Sequence, residues 1–439
     1  MTRTLGERFY AVAVDDGDVD RSTLPPAVAD ALPRNASRQV VAHTLQNLGD
    51  VVVDAKTVLT WLLAAVGAPA SLVGLLVPIR DAGSMVPQVL TAPRIRRLAI
   101  RKWVWVLGAV LQAVATLAIA LAAVTLEGPA AGGAILAALV VFALARSLSS
   151  FASKDVLGRT LAKGQRGQIT GLAATGGGLA AVVVGGGLAL AGRDDAEVTT
   201  LVWLLVAAAA AWVLAAAVFA RVEEAPGDRA AGDDGPGPIT LAVGYLRDDV
   251  PFRRFVVARS LLLVSALSPP FVVSLATART DGVGLQGLGP FVLGNGIAAL
   301  VAGRFWGGAS DRSSRRTMMW ASGLASAVVL AFVALTRIDA VADAVWLYPV
   351  TYFLLAVAHT GSRVGRKTYV VDLADGNTRT DYIAVSNSAM GLVLLVTGAL
   401  SAALATLGVA VALVFLGVLG VVGVAVSASL PEVGVDGGS

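Results

Sequence analysis

Residues 47–90 read NLGDVVVDAKTVLTWLLAAVGAPASLVGLLVPIRDAGSMVPQVL. Asp50, Asp54, Lys56, Arg80 and Asp81 stand inside stretches otherwise apolar enough to be buried in lipid. One such charge at the centre of a bilayer costs about 2.5–3.5 kcal/mol on insertion scales, so it persists where it is paired or faces a cavity. Gly67-Ala-Pro69 interrupts the run and reads as a hairpin between two antiparallel helices. That hairpin puts Asp54 and Lys56 at the depth of Arg80 and Asp81, near the midplane, where opposite charges can pair. The competing reading takes the unbroken apolar residues 57–79 as one span ending at Arg80. It leaves an odd number of helices and spoils the alternation of loop charge, so the two-span reading is preferred.

The pattern extends outward in both directions. Of 439 residues 56% are hydrophobic and 15% charged, against about 25% charged in a soluble domain. Apolar runs long enough to cross a hydrocarbon core of about 30 Å recur along the chain. Twelve spans are expected at roughly 40–66, 69–92, 103–125, 132–152, 168–191, 198–220, 253–277, 286–308, 317–336, 343–363, 382–405 and 407–430. Basic residues gather in alternate loops: Arg94, Arg96, Arg97, Arg101 and Lys102; Lys154, Arg159, Lys163 and Arg166; Arg312, Arg315 and Arg316; Arg363, Arg366 and Lys367. The other loops hold Arg193, Arg279 and Arg337. The positive-inside rule then puts the basic loops and both termini in the cytoplasm, in a multi-pass protein of the cell membrane. The net charge of +4 is a topology signal and not a sign of nucleic-acid binding.

Between spans six and seven, residues 221–252 include EEAPGDRAAGDDGPGP, a Pro-, Gly- and acid-rich linker. The expected organisation is a cytoplasmic tail (1–39), a six-helix bundle (40–220), a cytoplasmic linker (221–252), a second six-helix bundle (253–430) and a short tail (431–439). The halves echo one another: Asp155-Val-Leu-Gly-Arg159-Thr160 follows span four, and Arg363-Val-Gly-Arg366-Lys-Thr368 follows span ten. A repeat of that size is a six-helix half.

Gly307-Gly-Ala-Ser-Asp311-Arg312-Ser-Ser-Arg315-Arg316 closes span eight. It resembles the loop signature G-x-x-x-D-R-x-G-R-R of the major facilitator superfamily, with Ser314 where the pattern has Gly. Arg166-Gly167-Gln-Ile-Thr-Gly171 is similar to the R-G-x-x-x-G that opens span five in that superfamily, here in a chain of prokaryote-like composition. The resemblance covers residues 40–430. It implies an all-α fold of two pseudo-symmetric six-helix bundles and a secondary transporter that alternates access to a central site. Asp311, Arg312, Arg315 and Arg316 would then latch one conformation on the cytoplasmic side, with Asp311 and Arg315 as its main contact. The plainer reading is that these arginines enforce topology. Span five lacks the Gly-Pro motif of the superfamily's antiporters, and its many glycines read as close helix packing.

His43, Asn47, Asp50, Asp54, Thr57 and Trp61 recur every three or four residues, a polar stripe along span one. Asp81, Ser84 and Gln88 repeat the pattern on span two. Facing stripes suit a water-filled cavity, so Asp50, Asp54, Lys56, Arg80, Asp81 and Gln88 are the candidate ion and substrate pathway. Lys56 and Arg80 can neutralise two of the three carboxylates and leave one to carry a proton; alternatively the cluster is a brace between two helices. Arg146, Arg259, Arg304 and His359 read as snorkelling or interfacial. Ser268-Pro269-Pro270 is expected to kink span seven.

The expected function is a permease moving a small solute, coupled to protons, across the cytoplasmic membrane. Its partners are that unidentified solute, protons and the lipid bilayer, with no nucleic acid, in a monomer. A non-transporting receptor or assembly factor of the same fold is the alternative. Cys is absent and there are two His, which removes thiol and Cys- or His-based metal chemistry. No Walker A, Gly-x-Ser-x-Gly or His-Glu-x-x-His sequence occurs, so neither enzymatic activity nor a cofactor is expected.

Overall fold

The computed structural model describes residue 10 and residues 24–162, 165–190, 197–226, 237–279, 284–373 and 378–433. Lys163 and Arg193, expected in loops, fall outside the described residues, as does most of the tail before residue 24. All regular structure described is helical. The N-terminal half holds α1 (Pro26–Val52), α2 (Val58–Ala65), α3 (Ala70–Arg96), α4 (Lys102–Thr125), α5 (Gly128–Thr160), α6 (Arg166–Leu190) and α7 (Glu197–Phe219). A linker helix α8 (Pro238–Asp248) leads to α9 (Val250–Leu261), α10 (Val264–Arg279), α11 (Gly284–Arg312), α12 (Ser314–Leu335), the single turn α13 (Asp339–Ala342), α14 (Leu347–Leu373), α15 (Thr378–Ala405) and α16 (Val409–Ala428).

Among the described residues nine stretches are long and apolar enough to cross a membrane by length and composition. The remaining three crossings are α1 with α2, which carry Asp50, Asp54 and Lys56, α3, which carries Arg80 and Asp81, and α14, which carries Arg363, Arg366 and Lys367. The lipid-facing side is legible in exposure. Along α4, Leu107, Val110, Val114, Leu117 and Leu121 are all exposed, an apolar stripe that a soluble protein would cover. The chain is a multi-pass membrane protein.

The hairpin after span one is present: α2 ends at Ala65, α3 begins at Ala70, and Gly67 takes φ +73°, a conformation open to glycine. Span one differs from the continuous helix expected over 40–66. It starts at Pro26, so residues 26–39 belong to the helix and not to a tail, and it opens between Val52 and Val58. The Asp54 carboxylate accepts from the Lys56 backbone N–H at 2.8 Å and from the Thr57 hydroxyl at 3.2 Å. Such an Asx-type turn competes with the helical ladder, and the β-branched run Val51–Val53 before it weakens that ladder further.

Span seven opens as well, though not at the prolines. Pro269 and Pro270 lie within α10, and the gap falls at Leu262 and Leu263. Each proline lacks the N–H that would pair with the carbonyl four residues back, at Ser265 and Ala266, which weakens the first turns of α10 next to the gap. The two halves thus each begin with a broken helix.

Within the first half α4 packs on α5 and α7, α1 on α6 and α7, and α3 on α5. The second half repeats this with α12 on α14 and α16, and α11 on α14. The halves meet along two seams, α3 with α15 and α6 with α11. Both seams are tightest at the end far from the central linker. A Cβ on Gly289 would sit 2.4 Å from the Ala189 backbone nitrogen, and one on Gly398 would sit 2.0 Å from Pro78 Cγ. Glycine here lets helix backbones approach directly.

Candidate functional site

A cavity of about 680 Å³ lies between the two halves. Along α14 its wall runs from Tyr352 to Val370, roughly 27 Å at 1.5 Å per residue. It ends near Lys154, Lys367 and Ile383 on the linker side. On the far side aromatic rings form its floor: Trp61 and Phe291 lie 6.4 Å apart, and Phe291 meets Tyr352 edge-on at 5.5 Å. The structure is therefore open toward the linker side and shut at the other.

The first-half wall carries a charged cluster built by the break in span one. Arg80, reaching across from α3, places Nη2 3.3 Å from Asp50 Oδ1 and Nη1 3.6 Å from Asp54 Oδ2. Asp50 also pairs with Arg146 of α5 at 2.5 Å. Asp54 is held by its own turn, while Lys56 and Asp81 face the cavity. Neither Lys56 nor Asp81 has an ion pair within 4 Å among the described residues. Asp81 nonetheless acts electrostatically on Lys56 and Arg80, and across the cavity on Arg363 and Arg366.

Five expected pathway residues, Asp50, Asp54, Lys56, Arg80 and Asp81, therefore assemble, and opposite charges pair across the hairpin at Asp54 and Arg80, though not everywhere. Arg80 takes two carboxylates, and Lys56 does not form a contact pair with Asp81. Gln88 lies on α3, and its side chain is outside the described residues. The upper part of the polar stripe turns inward instead of toward the cavity. His43 contacts Gln46, Ser153 and the rings of Trp105 and Phe219, and Asn47 donates to the Ala173 carbonyl at 2.9 Å.

Arg146 and Arg259 do not snorkel. Arg146 belongs to the cluster above. Arg259, on α9, is 9% exposed and donates to Ser386 Oγ at 2.8 Å and Asn387 Oδ1 at 2.7 Å on α15. Likewise His359 lies in the cavity wall, 3.3 Å from Ser265 Oγ, and the Arg304 side chain falls outside the described residues. Arg363, Arg366 and Lys367, expected in a loop, line the cavity because α14 continues to Leu373.

The latch residues sit at the α11–α12 junction. Asp311 and Arg312 are exposed and form no ion pair among the described residues. Arg315 departs from the expected contact with Asp311. It pairs with Glu432 at 2.7 Å and donates to the carbonyls of Ala428 and Leu430. Arg316 is exposed, its backbone N–H capped by Ser313 Oγ. With the linker side open, the loop is bonded to the end of its own half.

No protein-family model matches the sequence, and no curated protein matches it. Solved structures do share its fold. A POT family transporter in complex with a thioalcohol-conjugated peptide superposes with a TM-score of 0.72 at 12% identity, covering 92% of this chain and 97% of its own. A D-xylose–proton symporter gives 0.69 at 12% identity, covering 90% and 97%. The nucleoside transporter NupG gives 0.68 at 11% identity, covering 90% and 99%. At this identity the likeness is one of fold, over nearly the whole of each chain.

Proposed function

Given that the chain has the major facilitator fold, we propose that it is a secondary transporter that carries a small solute by alternating access and couples the movement to protons. The observation that carries this reading is the cavity itself. It reaches mid-depth, is open at one end and shut at the other, and has charge on both walls. A passive anchor or scaffold has no use for charges costing about 2.5–3.5 kcal/mol each to insert. The basic residues of the linker side support its placement in the cytoplasm, so the state described is the cytoplasm-open one.

Proton coupling is assigned to Asp81. Protonating Asp50 or Asp54 would discard a contact with Arg80, whereas protonating Asp81 breaks no contact ion pair. Asp81 also stands where both halves meet, so its charge state bears on how they fit together. Asp50, Asp54, Lys56 and Arg80 then form the fixed part of the pathway, and Asp311 with its neighbouring arginines the latch of the opposite conformation.

The native chain has no Cys, so pairs of engineered cysteines can carry spin labels directly. Labels at Arg97→Cys and Asp372→Cys report the linker side, and labels at Ala68→Cys and Leu407→Cys the far side. Two interconverting distance populations are expected, reciprocal between the two pairs and shifted by pH in the parent but not in Asp81→Asn. One fixed distance at each end under every pH and solute tried would refute alternating access. An unaltered pH response in Asp81→Asn would remove the proton assignment alone.

A further inference from the structure

The two walls of the cavity are not equivalent in charge. On the first-half wall two acids, Asp54 and Asp81, stand among three bases, Lys56, Arg80 and Lys154, while Asp50 pairs with Arg146 and Arg80. The second-half wall holds Arg259, Arg363, Arg366 and Lys367, and among the described residues no acidic side chain of that half lines the cavity. Among the described residues none of these four cations has a carboxylate within 4 Å.

The partners of the two buried arginines are unusual. Arg259 and Arg366 are 9% and 8% exposed. Both point at one thioether: Arg259 Nε lies 3.2 Å and Arg366 Nη1 3.3 Å from Met390 Sδ. A thioether sulfur is a weak acceptor, and two buried guanidinium groups converging on it leave a strong demand for negative charge unmet. The other acceptors of Arg259, Ser386 Oγ and Asn387 Oδ1, are neutral. Arg366 donates from Nε to the Ser362 carbonyl, and its Nη2 has no hydrogen-bond partner among the described residues. Arg363 and Lys367 continue the positive surface toward the mouth, with Lys154 opposite.

We propose that the transported solute is a small organic anion, carrying a carboxylate or phosphate group that docks between Arg259 and Arg366. The proposal deepens the transporter reading and rests on it. Planar guanidinium groups match the oxygens of either group in paired hydrogen bonds. The positive surface from Lys367 and Lys154 inward steers an anion to that depth. The first-half wall, where both signs of charge are present, holds the rest of the molecule, and the anion screens Asp81 from Arg363 and Arg366 while bound.

Calorimetric titration of the detergent-purified full-length chain tests this with succinate and glucose 6-phosphate as probes, and succinamide and glucose as their uncharged counterparts. At least one anion should bind, more weakly at high salt, and neither uncharged compound should. Arg259→Gln and Arg366→Gln should each weaken binding at least about tenfold. Should either variant fail to fold, the double variant Arg363→Gln/Lys367→Gln carries the test, since both side chains are exposed to the cavity. It should weaken binding and flatten the salt dependence. Binding of neither anion, equal binding of the uncharged counterparts, or unchanged affinity in the variants overturns the proposal. So does loss of binding in phosphatidylglycerol nanodiscs but not phosphatidylcholine ones, which would give the site to a lipid headgroup. Anion binding without flux in proteoliposomes would sink the transporter reading and leave the site. Flux of glucose or succinamide without anion binding would sink the site and leave the transporter.

Discussion

Glu224 and Glu432 make equivalent clamps at the linker-side ends of the two halves. The Glu224 carboxylate accepts from the backbone N–H groups of Arg101 and Lys102, at 3.0 and 2.8 Å, where α4 begins, and lies 3.5 Å from Arg159. Glu432 accepts from the Ser313 hydroxyl and pairs with Arg315, where α12 begins. Each acid follows the last helix of its half and binds the start of the third crossing. Negative charge at a helix N-terminus is favourable, because unpaired N–H groups and the helix dipole both point there.

The clamps differ in burial, which predicts different costs. The Glu224 side chain is 0% exposed and that of Glu432 is 29% exposed. Glu224→Gln removes a buried charge that satisfies Arg159 and two backbone donors, and should destabilise the chain by about 3 kcal/mol. Glu432→Gln should cost about 1 kcal/mol or less. Thermal unfolding in detergent measures both; equal losses would mean that the two halves do not share the burial difference seen between them.

The far-side seams predict how closure can be loosened. Gly289→Ala and Gly398→Ala each add a Cβ that would lie at 2.4 Å from Ala189 and 2.0 Å from Pro78, well inside contact distance. The clash exists only with the far side shut, so both substitutions should shift the population toward the far-side-open state. Labels at Ala68→Cys and Leu407→Cys should show the longer distance enriched. If that distance distribution does not change, the seams do not close the gate.

The latch makes a complementary prediction. Asp311 is exposed and has no ion pair among the described residues, so Asp311→Asn should change stability in this state by no more than about 0.5 kcal/mol. If Asp311 engages when the linker side closes, the same substitution removes a charge-assisted contact of about 1.5–3 kcal/mol there. The linker-side distance between Arg97→Cys and Asp372→Cys should then shift further toward its open value. An unmoved distribution would leave the motif a topology signal.

Hydropathy and loop charge were enough to read twelve crossings in two halves, the hairpin at Gly67 and, through that hairpin, the meeting of Asp54 with Arg80; that Arg80 also takes Asp50 was not read. The break at Val53–Thr57 was not legible, since Asp54 fits a helical stripe as well as a turn until its hydrogen bonds are seen. Arg363, Arg366 and Lys367 resembled a loop because charge at the end of an apolar run reads alike whether it meets bulk water or a cavity. Arg146 and Arg259 were misread because their partners, Asp50 and Ser386, are remote in sequence. The clamps at Glu224 and Glu432 escaped for the same reason, each lying in a segment that looks like linker or tail.

The charged cluster gives the sharpest test of how the first-half wall is held. Arg80 bridges Asp50 and Asp54, but Asp50 keeps a second partner in Arg146 at 2.5 Å. Arg80→Gln therefore strands Asp54 more than Asp50, and an unpaired charge at this depth should cost about 3 kcal/mol. Adding Asp54→Asn should recover most of that loss, because the stranded charge goes with it. Adding Asp50→Asn instead should recover nothing and deepen the loss, since Arg146 then loses its carboxylate. Thermal unfolding of the parent, the three single variants and the two double variants closes both cycles. Equal rescue by Asp50→Asn and Asp54→Asn would mean that Arg146 is not a working partner of Asp50. In the rescued Arg80→Gln/Asp54→Asn variant the pH-dependent shift between spin-label distances should persist, because Asp81 is untouched. Its loss there would move the proton from Asp81 to the bridged pair.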